Sequence, residues 1–220
     1  MVDDATLLRK SELFQAFPPD DMARIVATTT LSRLQRGDVI FTEGESADQM
    51  FVVRSGRVAI SKHPAKAKES IVALMEAGDL FGEMGLFDGD HRAAGARALE
   101  PVELVVVPYA PLTKVLGERP DLLWPMVTLL SKRMRAAENA LADSLTLDVT
   151  GRTAKRLLEL AGGHDEFAVP ITQEELAGMV GASRERVNKA LAQFIRLGWL
   201  AVNDRRYRIL KRDDLVSRAR

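Results

Sequence analysis

The chain has no cysteine and only three histidines, His63, His91 and His164, in 220 residues. The first absence excludes a disulfide framework, a thiol sensor and an iron–sulfur cluster held by thiolates. The second leaves no group of imidazoles to hold zinc, so no metal is expected. No uninterrupted apolar run approaches the ~18 residues that a membrane span needs. The N-terminus also lacks the apolar core of a signal peptide. A cytoplasmic protein with no membrane partner is the expectation. Catalytic machinery is scarce as well. Glu83, His91 and Arg92 lie close in sequence, but no Ser–His or Cys–His pair, metal cluster or P-loop accompanies them. No catalytic residues are assigned, and an enzyme is not expected.

Net charge is also lacking, but the balance hides an asymmetry. The whole chain carries 31 Lys/Arg and 31 Asp/Glu. Residues 151–220 hold 14 Lys/Arg against 9 Asp/Glu, whereas residues 1–150 hold 17 against 22. A basic C-terminal unit joined to an acidic N-terminal one fits a nucleic-acid reader attached to something else. The hydrophobic fraction of 46% is enough to build cores in both.

What the chain does have is a helix-turn-helix pattern from Thr172 to Lys189. Leu176, Ala177 and Val180 keep helical spacing, Gly181 interrupts it, and Ser183 offers an N-cap hydroxyl to a second helix. Arg184 and Glu185 then occupy the first turn, with Lys189 on the same side. The N-terminal part of a recognition helix is what enters the major groove. Arg pairs bidentately with guanine, and Glu accepts from cytosine N4. A solvated charged helical hairpin is the plainer alternative. The coincidence of turn, cap and base-reading side chains favours DNA. Beyond it, Leu200 to Val202 and Tyr207 to Leu210 flank Asn203-Asp204-Arg205-Arg206 as a β-hairpin, a wing whose arginines are available to phosphates.

Upstream, residues 1–30 read as helical. From Leu31, short β-branched and aromatic runs alternate with Gly turns, which suggests a small barrel or jelly roll. Val39–Phe41, Gln49–Arg54, Val58–Ser61, Ser70–Met75 and Val102–Val107 are the expected strands, and residues 111–119 a short helix. A long helix is predicted from Pro120 to about Leu147. Leu123, Val127, Leu130, Met134, Ala137, Leu141 and Leu145 recur on it at nearly heptad spacing. Such a helix either packs on its own barrel or pairs with a second copy; two half-sites read by two subunits favour the pair. Asp148 to Arg152 breaks the pattern and marks a hinge before a helix from Thr153 to Ala161. The fold class is therefore α+β: residues 1–119 form a β jelly-roll sensor, 120–147 a dimerisation helix, and 148–220 a winged helix-turn-helix.

This order of parts resembles the CRP/FNR family of bacterial transcription regulators over essentially the whole chain. Val180 to Glu185, Val187 to Leu191, and Ala142-Asp143 with Asp148 to Arg152 look like its actinobacterial cyclic-AMP-receptor branch. The run Phe81-Gly82-Glu83-Met84-Gly85-Leu86-Phe87-Asp88-Gly89-Asp90-His91-Arg92-Ala93-Ala94 is similar to the family's phosphate-binding cassette. The resemblance gives Glu83 the ribose 2′-hydroxyl and Arg92 the cyclic phosphate. That is sound chemistry, because a carboxylate accepts from a hydroxyl and a guanidinium pairs an anion. The implied ligand set is Phe81, Gly82, Glu83, Met84, Arg92 and Ala93, with Arg133, Ala137 and Glu138 from the long helix. The implied DNA set is Thr172, Gln173, Ser183, Arg184, Glu185, Lys189 and Arg205. The implied partners are double-stranded DNA with TGTGA-like half-sites, a second copy of the chain, and RNA polymerase. The implied effector is a cyclic nucleotide, cyclic AMP first.

Three positions depart from the family pattern. Ala93 stands where a Ser or Thr hydroxyl helps hold the phosphate. Ala137-Glu138 stands where Thr followed by Ser or Asn meets adenine. A lost hydrogen bond to a charged group costs about 1.5–3 kcal/mol, or one to two decades in affinity. Glu138 suits the N1–H and N2–H edge of guanine. Weakened cyclic AMP binding, another nucleotide, and a ligand-independent regulator all remain open, as does a nucleotide-binding module acting through protein contacts.

Overall fold

The computed structural model describes residues 3–62, 70–168, 171–203 and 206–220. The chain divides into two compact units, with one boundary between Arg135 and Ala136, inside the long helix, and with Ser70 and Ile71, at the start of the strand Ser70–Met75, grouped with the second unit.

In the first unit, helices α1 (Asp4–Leu8) and α2 (Pro19–Val26), joined by a 3-10 turn at Glu12–Phe14, precede the strands. One antiparallel sheet has the order β1 (Thr30–Leu34), β8 (Val102–Pro108), β3 (Gln49–Ser55), β6 (Leu80–Phe81). The other runs β2 (Val39–Phe41), β7 (Gly95–Ala98), β4 (Val58–Lys62), β5 (Ser70–Met75). Together they make the expected jelly roll. Its inner cluster includes Phe41, Phe51, Val53, Val58, Phe81, Ala98 and Leu104. A second cluster forms where the α1–α2 region and α4 (Tyr109–Glu118) cover the sheet through Leu8, Leu13, Phe14, Ile25, Leu112 and Val115. The short helix α3 (Met84–Asp88) follows β6.

The long helix opens as a 3-10 turn at Pro120–Leu123 and continues as α5 (Trp124–Thr146). Leu122, Met126 and Leu129 face the helical cluster of the first unit. Leu123, Val127, Leu130 and Met134 lie on another face and are exposed, as are Leu141 and Leu145 further along. The helix thus has an inner apolar edge on its own barrel and an outer, uncovered apolar stripe.

The second unit holds α6 (Val149–Ala161), α7 (Gln173–Val180), α8 (Arg184–Arg196) and α9 (Arg212–Arg218), with the sheet β10 (Leu200–Asn203), β11 (Arg206–Ile209), β9 (Glu166–Ala168). Leu157, Leu176, Val187, Phe194, Leu200 and Leu215 are buried in it, and Phe194 stacks on Trp199. This is a winged helix. The expected hinge is narrower than the sequence suggested. Only Leu147 and Asp148 separate α5 from α6, because the Asp148 side chain accepts from the Gly151 amide at 2.8 Å and starts α6 at Val149. Val149 to Arg152 is the first turn of a helix, not a linker.

Candidate functional sites

The cassette folds as sequence chemistry requires. Gly82 has φ +76°, a left-handed conformation that leaves room for Arg92, whose Nη1 would lie 2.9 Å from a Cβ at this position. Arg92 is 6% exposed. Its Nη1 donates to the Gly82 carbonyl at 2.8 Å and to the Tyr109 hydroxyl at 3.3 Å, and its Nη2 donates to the Gln49 carbonyl at 2.8 Å. The guanidinium lies 4.3 Å from the Phe41 ring centroid, and Phe51 stacks on both Phe41 and Phe81, which are tilted to each other. Neutral carbonyls, a phenol and rings surround this cation; among the described residues no carboxylate pairs it, and its Nε is buried without a partner. Burial pushes the Tyr109 phenol above its ordinary range, and the Arg92 charge opposes that rise.

Glu83 is completely buried. One carboxylate oxygen accepts from Nη1 of Arg133 on α5, and the same guanidinium donates through Nη2 to the Leu80 carbonyl. The other oxygen, Oε2, is buried with no hydrogen-bond partner. A buried polar atom without a partner costs free energy unless something bonds it. Arg92 Nε and Glu83 Oε2 are thus one buried donor and one buried acceptor left open. A ligand with an anionic group and a hydroxyl matches those two chemistries.

Phe81, Gly82, Glu83, Arg92 and Arg133 are therefore brought together. Met84 and Ala93 are exposed beside them, while Ala137 and Glu138 are exposed positions on the part of α5 that belongs to the second unit. Tyr109, Gln49 and Phe41, which hold Arg92, escaped the sequence reading. They sit on other elements, and no local spacing marks them. Among the described residues no group of three His, Asp or Glu could hold a metal ion, and no helix is long and apolar enough to cross a membrane.

In the second unit, Thr172 caps α7 in a reciprocal box with Glu175, and Gly181 ends that helix in the left-handed region. Ser183 caps α8 through the Arg186 amide. Arg184, Glu185 and Lys189 all project into solvent from the start of α8. Lys189 and Glu185 pair at 2.8 Å, and their partner on the lysine side holds the Glu185 carboxyl below its usual value. Gln173 fixes α7 against α8, its Oε1 accepting from Asn188 Nδ2 at 3.1 Å and from Arg184 Nη2 at 3.4 Å. On the wing Arg206 is exposed. Arg208 is also exposed and pairs with Glu166 at 2.7 Å on the neighbouring strand. Arg205 lies outside the described residues.

A jelly roll with an anion-ready cassette and a winged helix presenting a charged recognition helix define a DNA-binding regulator with a sensor domain. Residues 31–119 match the cyclic nucleotide-binding domain, and residues 151–218 match the Crp-like helix-turn-helix domain. The chain is 34% identical over 221 residues to the CRP-like cAMP-activated global transcriptional regulator of Mycobacterium tuberculosis, covering 97% of this chain and 99% of that protein. It is 34% identical over 155 residues to the cAMP-activated global transcriptional regulator CRP of Pasteurella multocida, covering 67% and 74%. The fold is similar to FixK2 of Bradyrhizobium japonicum, with a TM-score of 0.79, 23% identity, and 86% and 96% of the two chains covered. The chain belongs to the CRP/FNR family of transcriptional regulators, which are not enzymes.

Proposed function

We propose that this regulator is a cytoplasmic homodimer that reads TGTGA-like inverted half-sites and is gated by a cyclic nucleotide, cyclic AMP first. The observation that carries the gating is the buried Arg92 guanidinium, unpaired by any described carboxylate and with Nε open. A phosphodiester supplies both the missing charge and the missing acceptor. Glu83 Oε2 accepts from the ribose 2′-hydroxyl, while the Arg133 guanidinium holds the other carboxylate oxygen. The name of the mycobacterial relative, a cAMP-activated regulator, supports the choice of nucleotide. Dimerisation is supported by the uncovered stripe from Leu123 to Met134 on α5 and by the two-subunit logic of helix-turn-helix recognition. Arg184 reads guanine, Glu185 and Lys189 exchange their mutual pair for base or phosphate contacts, and Thr172, Gln173, Ser183 and the wing residue Arg205 approach the backbone. RNA polymerase is the downstream partner.

Gating requires the ligand to favour the DNA-competent state over the other. Ala93 offers no hydroxyl to the phosphate, and this favours a second reading, in which the cassette holds its ligand weakly or regulates without one. Calorimetry of the purified protein against cyclic AMP, cyclic GMP and cyclic di-GMP tests the choice. Saturable heat with cyclic AMP, lost in Arg92→Ala, supports the first reading. No heat with any of the three at millimolar concentration, with DNA binding intact, supports the second.

A further inference from the structure

The C-terminal helix α9 is tied to both ends of α6. At one end Arg212 pairs with Asp165 at 2.9 Å and donates to the His164 carbonyl at 2.6 Å, just beyond the α6 C-terminus. At the other end Nη2 of Arg218 donates to both carboxylate oxygens of Asp148, the cap that starts α6. Between them Leu215 is fully buried. The close approach depends on Gly151. A Cβ at that position would stand 3.0 Å from Arg218 Nη1 and 3.1 Å from the Arg218 carbonyl oxygen. Asp148 therefore has two partners, the Gly151 amide and the Arg218 guanidinium, and it holds the extended backbone (φ −71°, ψ 175°) that interrupts the helical path between α5 and α6.

We propose that α9 is a strap that holds the break between α5 and α6 in place, with Arg218 as the residue that positions the Asp148 cap. An N-cap acts only while its side chain points at the first-turn amides. The Arg218 guanidinium, on a helix anchored by the buried Leu215, orients the carboxylate in that direction and joins the start of α6 to the rest of the winged helix. The strap makes the α5–α6 junction a firm joint, so that a change delivered along α5 moves the winged helix as one body. This last consequence rests on the gated-regulator reading; the strap itself does not.

The test uses the full chain and two separate measurements. The first is amide hydrogen exchange at Gly151 and Arg152 in wild type, Arg218→Ala, Arg218→Lys, Asp148→Asn and the Arg218→Ala/Asp148→Asn double variant. Arg218→Ala is expected to speed exchange at these two amides about three- to tenfold while Leu157 stays protected, and Arg218→Lys to restore part of it. Asp148→Asn keeps a capping oxygen but loses the charge, so the double variant is expected to match the more affected single variant rather than the sum. Unchanged exchange in Arg218→Ala, or strict additivity in the double variant, overturns the strap. The second measurement is the ratio of operator affinity with and without cyclic AMP, which Arg218→Ala is expected to reduce and Arg218→Lys to recover in part. A wild-type protein with no cyclic AMP response would count against the gating reading, while the exchange measurement still decides the strap.

Discussion

Gly82 and Arg92 define each other's position. The glycine's left-handed backbone points no side chain into the space where the arginine's Nη1 bonds the Gly82 carbonyl. Gly82→Ala would force both a strained φ and a contact of 2.9 Å with a buried cation, with Phe51 and Phe41 carbon atoms 3.3 and 3.4 Å away. A loss of about 1–2 kcal/mol in unfolding free energy is expected from the backbone strain alone, together with loss of nucleotide binding. Urea denaturation and calorimetry of the same variant check both. Wild-type stability and binding would mean that the turn relaxes around a Cβ.

Restoring the family hydroxyl tests the cassette from the other side. Ala93→Ser is expected to tighten cyclic AMP binding by roughly one decade, the worth of one added hydrogen bond to a charged group. Titration calorimetry reads it directly, and unchanged affinity would place the phosphate away from residue 93.

Met134 is 61% exposed in the single chain, on the uncovered stripe of α5. Met134→Glu would bury a carboxylate against its own copy across a symmetric interface. If the proposed dimer forms through this stripe, sedimentation is expected to show a dimeric wild type and a monomeric variant at the same concentration. A variant that remains dimeric would move the seam to another face of the helix.

On α8, Arg184→Ala is expected to cost about 1–3 kcal/mol in operator binding and to relax the preference at one guanine. Arg206→Ala on the wing is expected to weaken all sequences alike and to lower the salt slope by about one ion. Glu185→Ala is expected to leave stability close to that of wild type, since both side chains of its pair with Lys189 are largely exposed. Titrations of operator and scrambled duplexes at several salt concentrations separate these effects.

The cap at Asp148 gives a pH signature. The Gly151 amide and then Arg218 hold this carboxyl below its ordinary value of 3.8. A depressed folded-state pKa contributes stability above the unfolded value, and that contribution is lost as pH falls through the folded one. The winged helix of Asp148→Asn should therefore lose less stability than wild type on acidification below about pH 4. Parallel acid-unfolding curves would show that the carboxylate contributes nothing.

Much of this was legible in the sequence, for local reasons. The helix-turn-helix is written in adjacent residues: the Thr172 cap, the Gly181 stop, the Ser183 cap and the buried spacing of Leu176 and Val187. The cassette is likewise contiguous. Strands β1, β6 and β7 left no comparable trace. Thr30–Leu34 is mostly exposed, Leu80–Phe81 is two residues long, and Gly95–Ala98 has weak β-propensity. Their extended state comes from the partners they pair with, as Phe81 does with Phe51. The same holds for the ring of groups around Arg92. Gln49 and Tyr109 reach it from strand and helix termini 43 and 17 residues away, and only the folded barrel makes them neighbours. The break at Leu147-Asp148 looks longer in the sequence because Val149, Thr150 and Gly151 are poor helix formers. The Asp148 cap and the Arg218 contact over Gly151 outweigh that preference.

The central claim, that a nucleotide in the cassette governs DNA reading, is tested most directly by fluorescence anisotropy of a labelled duplex carrying TGTGA and its inverted repeat. Wild type and Arg92→Ala are titrated with and without saturating cyclic AMP. The wild type is expected to bind about five- to a hundredfold more tightly with cyclic AMP, within the usual range of allosteric coupling, and Arg92→Ala to keep its nucleotide-free affinity and lose the response. Identical wild-type affinities in the two conditions, or an equal response in Arg92→Ala, would contradict it.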